Sequence, residues 1–127
     1  MRNFHIGKRS INKDSPSLII AEVGLSHDGS LGSAHAFIDA ISKTGVDAIK
    51  FQTHIAAAES SEAESFRVNV FPQDKSRYEY WERTAFSLDQ WAGLKKHAED
   101  KGILFLSTPF SLEAINLLSK IGIEAWK

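Results

Sequence analysis

The sequence predicts an α/β fold, the N-terminal half of a (β/α)8 TIM barrel with about four parallel strands. Three observations predict it. An eight-residue pattern, Lys43-Thr44-Gly45-Val46-Asp47-Ala48-Ile49-Lys50, returns as Lys120-Ile121-Gly122-Ile123-Glu124-Ala125-Trp126-Lys127, with a softer third copy at Asp100 to Ser107. Each copy follows a stretch with helical spacing of apolar residues. Each also carries a Gly, an apolar run and a polar group five residues after the Gly. Polar groups then stand at the carboxyl ends of successive strands, where a barrel keeps its working residues.

The elements follow in order. Phe4 to Lys13 reads as a short ribbon with Gly7 at its turn, so residues 1–17 form an extension ahead of a barrel segment at 18–127. Pro16 breaks the chain. Leu18 to Val23 is apolar until Glu22, as in a parallel strand buried on both faces. The first long helix is predicted over Leu31 to Lys43, with Ala34, Phe37, Ile38 and Ile41 on one face. Gly45 supplies the left-handed cap that ends it.

Val46 to Gln52 is the second strand. Thr53 to Phe86 is a long, irregular connection in which Arg77 to Trp81 suggests a short helix, and connections of this length are often functional. Ser87 offers an N-cap for a helix over Leu88 to Asp100, with Trp91, Leu94 and Ala98 as its apolar stripe. Ile103 to Ser107 is the third strand. Ser111 caps a helix over Leu112 to Lys120, and Ile123 to Lys127 begins a fourth strand. Alternating elements with short returns imply parallel strands. An open doubly wound sheet is the rival architecture, but it announces itself with a Gly-rich turn after the first strand that Gly24 and Gly29 do not form.

Bulk properties narrow the function. The 127 residues are 43% hydrophobic and 24% charged, with a formal net charge of -1, which gives no electrostatic footprint for nucleic acid. The chain has no Cys, which excludes disulfides and thiolate metal sites and fits a reducing cytoplasm. Apolar runs such as Leu18 to Ala21 are too short to span a membrane.

Lys50 and Lys127 stand at equivalent strand ends. A Lys in an apolar strand is costly unless it reaches water or an anion. Two converging ammonium groups point to an anionic substrate, a phosphate or carboxylate. Alternation puts Ala48, Lys50 and Gln52 on one face. Glu22 can pair with a neighbouring Lys, act as a base, or orient a substrate hydroxyl. Ser107 and Thr108 bring hydroxyls to the start of a helix, a favourable place for an oxyanion. The five histidines lack metal-type spacing. His35 and His97 read as helix-surface residues, His54 as a lining residue of the mouth, and His27 as either packing or catalytic. Tyr78, Tyr80, Trp81, Phe86 and Trp91 read most simply as helix packing.

Ile20-Ala21-Glu22-Val23-Gly24 with Ser26-His27-Asp28-Gly29, then Ala48-Ile49-Lys50-Phe51-Gln52-Thr53, then Phe105-Leu106-Ser107-Thr108-Pro109-Phe110, resembles the sialic acid synthase family. Its members include N-acetylneuraminate, legionaminate and pseudaminate synthases. The resemblance implies a (β/α)8 barrel that condenses phosphoenolpyruvate with an open-chain N-acylated amino sugar of the N-acetylmannosamine type. The products are a nine-carbon 2-keto sugar acid and phosphate. It implies a divalent cation, Mn2+ or Mg2+, as a Lewis acid on the aldehyde oxygen, and a homodimer.

By position, Lys50 matches the family's phosphoenolpyruvate-binding Lys. Thr108 and Lys127 match further contacts to that substrate. Glu22 matches the carboxylate facing the sugar and metal region, and Gln52 a sugar-side group. Ser26 replaces the usual Asn of the first loop. The family's metal-binding His residues, and an antifreeze-like domain with an Arg that reaches the partner's site, fall outside these 127 residues. The isolated chain is therefore expected to be inactive. The rival readings are another phosphoenolpyruvate-condensing synthase of the 3-deoxy-keto-acid kind, and a non-catalytic sugar- or anion-binding module.

Overall fold

A computed structural model of the chain describes residues 3–68 and 71–127. Residues 1–2 of the predicted extension and 69–70 of the long connection lie outside the described residues. The chain opens with an antiparallel hairpin, β1 (Phe4–Ile6) and β2 (Arg9–Ile11), turned at Gly7 with φ +57°. There follow β3 (Ile20–Gly24), α1 (Leu31–Ile41) and β4 (Ala48–Thr53). The long connection holds α2 (Ala56–Glu59) and α3 (Arg77–Thr84), after which come α4 (Leu88–Asp100), β5 (Leu104–Pro109) and α5 (Leu112–Lys120).

β3, β4 and β5 form one parallel sheet in chain order, with β4 central. Its register decides the two faces. Ala48, Lys50 and Gln52 pair with Leu104, Leu106 and Thr108, and Glu22 lies beside Lys50. The opposite face carries Ile49 and Phe51 of β4 and Phe105 of β5. These form one core with Ala34 and Ile38 of α1, Trp91, Leu94 and Ala98 of α4, and Leu118 of α5. All three long helices therefore cover the same face. A doubly wound sheet puts helices on both faces and reverses its strand order. Sequential parallel strands with helices on one side are the wall of a barrel, and the described residues form an open segment of it, not a closed one.

Ser87 and Ser111 cap their helices as the sequence predicts, and Ser30 and Ser76 do the same for α1 and α3. Each of the four accepts a first-turn N–H, and Ser87 with Gln90 makes a capping box. Gly45, Gly102 and Gly122 take φ +80°, +79° and +67°, so the repeated Gly ends each helix in the same way. The predicted fourth strand differs. Residues 123–127 make a single parallel bridge, Trp126 with Ser107, and Lys127 N–H donates to the Ser107 carbonyl at 3.4 Å. One bridge is not a ladder. Ile123 is nonetheless buried in the core. The first strand starts at Ile20 because the preceding backbone is taken by Asp47. The Asp47 carboxylate accepts from Ile19 N–H at 2.7 Å and pairs with Arg9, which ties the hairpin to the amino ends of the strands.

His35 and His97 are not plain surface residues. Their Nδ1 atoms lie 2.8 Å apart and His97 Nε2 reaches Asp39 at 3.1 Å, linking α1 to α4. Burial lowers the His35 pKa, and the neighbouring His97 adds to the effect.

His27 is a core residue. Its ring packs on Phe86 with centroids 4.6 Å apart. Nδ1 accepts from Gly29 N–H at 3.1 Å, so the neutral ring carries its proton on Nε2, which has no partner among the described residues. Burial pushes its pKa down to about 4, against a smaller opposing effect of Asp28. Gly29, at φ +80°, passes directly over the Arg83 carbonyl, leaving no room for a methyl group.

Gly29→Ala combines overlap with an unfavourable φ and is expected to destabilise the chain by about 2 kcal/mol or more in urea denaturation. Gly93→Ala, in open space within α4, is expected to stabilise it by about 0.5–1 kcal/mol. An equal effect at both sites contradicts the geometry. For His27, the unfolded chain takes up a proton near the ordinary pKa of 6.5, while the folded chain resists until about 4. Its contribution to stability is therefore complete above pH 6.5 and declines as the pH falls from 6.5 toward 4. In His27→Phe, the shift in urea midpoint between pH 7 and pH 4.5 should shrink, and an unchanged shift removes His27 as a cause.

Candidate anion site at the strand ends

The carboxyl ends of β3, β4 and β5 converge on Lys50. A buried ammonium must find partners or lose its charge. The Lys50 side chain is only 8% exposed, and its Nζ pairs with the Glu22 carboxylate and donates to Thr108 Oγ1 at 3.2 Å. One partner comes from the strand on each side. An ammonium has three N–H donors, so one remains for a ligand. Glu22 is half-exposed and opens toward the mouth.

Gln52 stands one step further along the same face, in register with Thr108. It lies beside Glu22 over the bare Cα of Gly24: a Cβ built there meets Glu22 Oε1 at 3.5 Å and Gln52 Cδ at 3.6 Å. Glu22, Lys50, Gln52 and Thr108 are thus brought together. The Trp126 bridge extends the register by one position, placing Lys127 on the Thr108 side, with its side chain exposed.

Ser107 is not brought to the mouth. It lies on the helix side of β5 and is fully buried. Its Oγ is 2.8 Å from Thr53 Oγ1 and donates to the Phe51 carbonyl at 3.2 Å. The reason is alternation: adjacent strand residues face opposite ways, so Ser107 and Thr108 cannot both line one mouth.

His54 continues the Lys50-Gln52 alternation beyond β4, and its surroundings carry no sequence signal. Its ring stacks between Trp81, with centroids 4.9 Å apart and planes 7° apart, and Phe110, at 4.0 Å and 17°. Its Nδ1 is 2.8 Å from Glu59 Oε2, and its Nε2 is 3.4 Å from Gln52 Oε1. Trp81 thus serves the mouth as well as the packing.

The long connection is anchored beside it. Arg83 donates to both oxygens of Asp74, at 2.8 and 2.7 Å, and to the Asp28 carbonyl at 2.9 Å. Arg77 sits 4.4 Å over the Trp81 ring. These bonds bind the segment before α4 to the loop after β3.

A cavity of about 1040 Å³ lies elsewhere, at the amino ends of the strands beneath the hairpin. Its charged side chains are largely spent on each other, Arg9 on Asp47 and Lys95 on Glu99. Among the described residues no three His, Asp or Glu side chains converge as a metal site requires. Glu22, the carboxylate nearest Lys50, is already held by it. The described residues do not by themselves fit a divalent cation. No helix among them is long and apolar enough to cross a membrane.

The chain is similar to known proteins in sequence and in fold. The chain is 32% identical over 114 residues to N,N'-diacetyllegionaminic acid synthase of Campylobacter jejuni, covering 87% of this chain and 34% of that protein. It is 31% identical to the spore coat polysaccharide biosynthesis protein SpsE of Bacillus subtilis, covering all of this chain and 34% of that protein. Among solved structures it superposes on the N-acetylneuraminic acid (sialic acid) synthetase of Leptospira borgpetersenii, determined with citrate. The TM-score is 0.79 at 30% identity, over 98% of this chain and 40% of that one. The chain spans about a third of the length of these curated relatives. The NeuB family model matches residues 37–127, which include Lys50, Gln52, Thr108 and Lys127, and the chain belongs to the NeuB family.

Proposed function

We propose that this chain supplies the phosphoenolpyruvate-binding wall of a sugar acid synthase. The enzyme joins phosphoenolpyruvate to an N-acylated amino sugar of the N-acetylmannosamine type, giving a nine-carbon 2-keto sugar acid and phosphate. The observation that carries it is the buried Lys50 ammonium, set between Glu22 and Thr108 at the strand ends, in a chain of the NeuB family.

The new C–C bond forms between the methylene carbon of phosphoenolpyruvate and the sugar aldehyde carbon. Water supplies the keto oxygen, and the C–O bond to phosphate breaks. Negative charge is present throughout on the carboxylate and phosphate and grows on the leaving oxygen. Lys50, already desolvated and oriented, stabilises that charge without having to reorganise. Lys127 adds a second cation from the neighbouring position. Thr108 holds the Lys50 ammonium and offers its own hydroxyl. Glu22 and Gln52, side by side over Gly24, face the amino sugar. A divalent cation, Mn2+ or Mg2+, would polarise the aldehyde oxygen when bound. No ligand for it is assigned to this chain, and no step above runs through it. The reading includes a cytoplasmic homodimer.

Lys50→Ala in the complete protein is expected to lower kcat/KM for phosphoenolpyruvate by about 100-fold or more, the scale of losing a preorganised charge. An unchanged value removes Lys50 from the site. Turnover of a phosphorylated aldose and of no N-acyl amino sugar defeats the substrate assignment. Ser107 and Thr108 separate structure from binding. Ser107→Ala strands the buried Thr53 hydroxyl and should cost about 1–2 kcal/mol of stability with kinetics near wild type. Thr108→Val leaves the Glu22 pairing of Lys50 in place, and should raise KM for phosphoenolpyruvate several-fold while costing about 1 kcal/mol or less of stability. The opposite pattern reverses the faces assigned to the two residues.

A further inference from the structure

We propose that His54, seated on Glu59, is a positioning residue that engages one end of the Gln52 carboxamide and so turns the other toward the mouth. This rests on the proposed reading of Gln52 as an amino-sugar contact and deepens it.

The imidazole is held against every rotation. Trp81 and Phe110 sandwich it and set its plane. Glu59 sets its direction within that plane, with Oε2 2.8 Å from Nδ1. Glu59 is itself fixed, because its Oε1 accepts from the Ile55 N–H at 2.7 Å. The assembly is nearly dry: the His54 and Glu59 side chains are 7% and 10% exposed. Trp81 comes from the long connection and Phe110 from the end of β5, so three separate segments meet on one ring. An ordinary packing residue needs neither a buried carboxylate nor two aromatic walls.

The chemistry that follows is a matter of donors and acceptors. A carboxylate only accepts, so Glu59 keeps a proton on Nδ1 whether the ring is neutral or cationic. Nε2 is then the atom that speaks to Gln52, whose Oε1 faces it at 3.4 Å. A carboxamide has one accepting end and one donating end. When Nε2 carries a proton it donates to Oε1, and the NH2 group is presented to the mouth. When Nε2 is bare it accepts from the NH2 group, and Oε1 is presented instead. In either state one end is committed to His54 and the other is offered to the ligand. Without the ring, Gln52 can turn and offer either end to a sugar hydroxyl or N-acyl group, and selectivity is lost.

The test uses the complete protein and two readouts. In His54→Phe, which keeps an aromatic ring in the stack and removes both nitrogens, KM for the amino sugar should rise about tenfold while KM for phosphoenolpyruvate and the urea midpoint stay near wild type. In the Gln52→Ala background the same change should add no further loss, because His54 acts through Gln52. Additive losses, or equal losses for both substrates, overturn the proposal. The second readout needs no turnover. The side-chain NH2 resonances of Gln52, assigned by NMR, should shift in His54→Phe and again in Glu59→Gln. If the wild type turns over no amino sugar, the proposed function fails and the NMR result alone decides: unmoved Gln52 resonances overturn the positioning role.

Discussion

The burial of one ammonium group governs the arrangement of the strand ends. Lys50 occupies the central strand, on the face away from the helices, where water reaches it poorly. It must be matched there or pay a desolvation cost of several kcal/mol. Each match comes from a different neighbouring strand, and each depends on register. A one-residue slip of β3 or β5 would turn Glu22 or Thr108 to the helix side and leave the charge stranded. The hairpin, the Asp47 contacts and the three helices packed on one face all fix that register. The fold thus has to be right across three strands before the mouth exists.

Much of this was legible because repetition exposes a constraint that a single copy hides. Gly45, Gly102 and Gly122 recur because each helix must reverse through a left-handed residue before its strand. The Ser caps and the spacing of Ala34 and Ile38, or of Trp91, Leu94 and Ala98, placed α4 and α5 on their observed limits and α1 within two residues. Lys50 and Gln52 were legible from alternation, and Thr108 from its hydroxyl at the start of a helix. Alternation, applied strictly, sends Ser107 to the other side. Its hydroxyl looks functional in a list of residues and is structural in three dimensions, where Thr53 claims it.

What was illegible lies in contacts between distant segments. No local pattern says that Trp81 will stack on His54 from 27 positions away, or that Phe110 will close the other face. The connection from His54 to Phe86 lacks periodicity because neither one helix face nor one sheet face organises it. Charges and rings organise it instead. Arg83 spans Asp74 and the loop after β3, and Arg77 joins Glu64 to the Trp81 ring. Such a network spreads its sequence signal over many positions, and none of them stands out alone.

The Glu22–Lys50 pair carries the last step. An ion pair at a strand end is often only structural, and Glu22 does neutralise Lys50. The asymmetry of exposure argues for more. Lys50 is 8% exposed and Glu22 46%, so the pair is a buried cation with a carboxylate reaching in from the open side. A ligand anion approaching from that side meets the remaining Lys50 donor and the exposed Lys127, and it must share or displace Glu22. Displacement releases the carboxylate next to Gln52, on the side assigned to the sugar. On the proposed reading, binding the acidic substrate therefore also prepares the surface that receives its partner. The same pair of opposite charges that settles a buried ammonium in the folded chain is thus placed where an incoming anion would have to meet it.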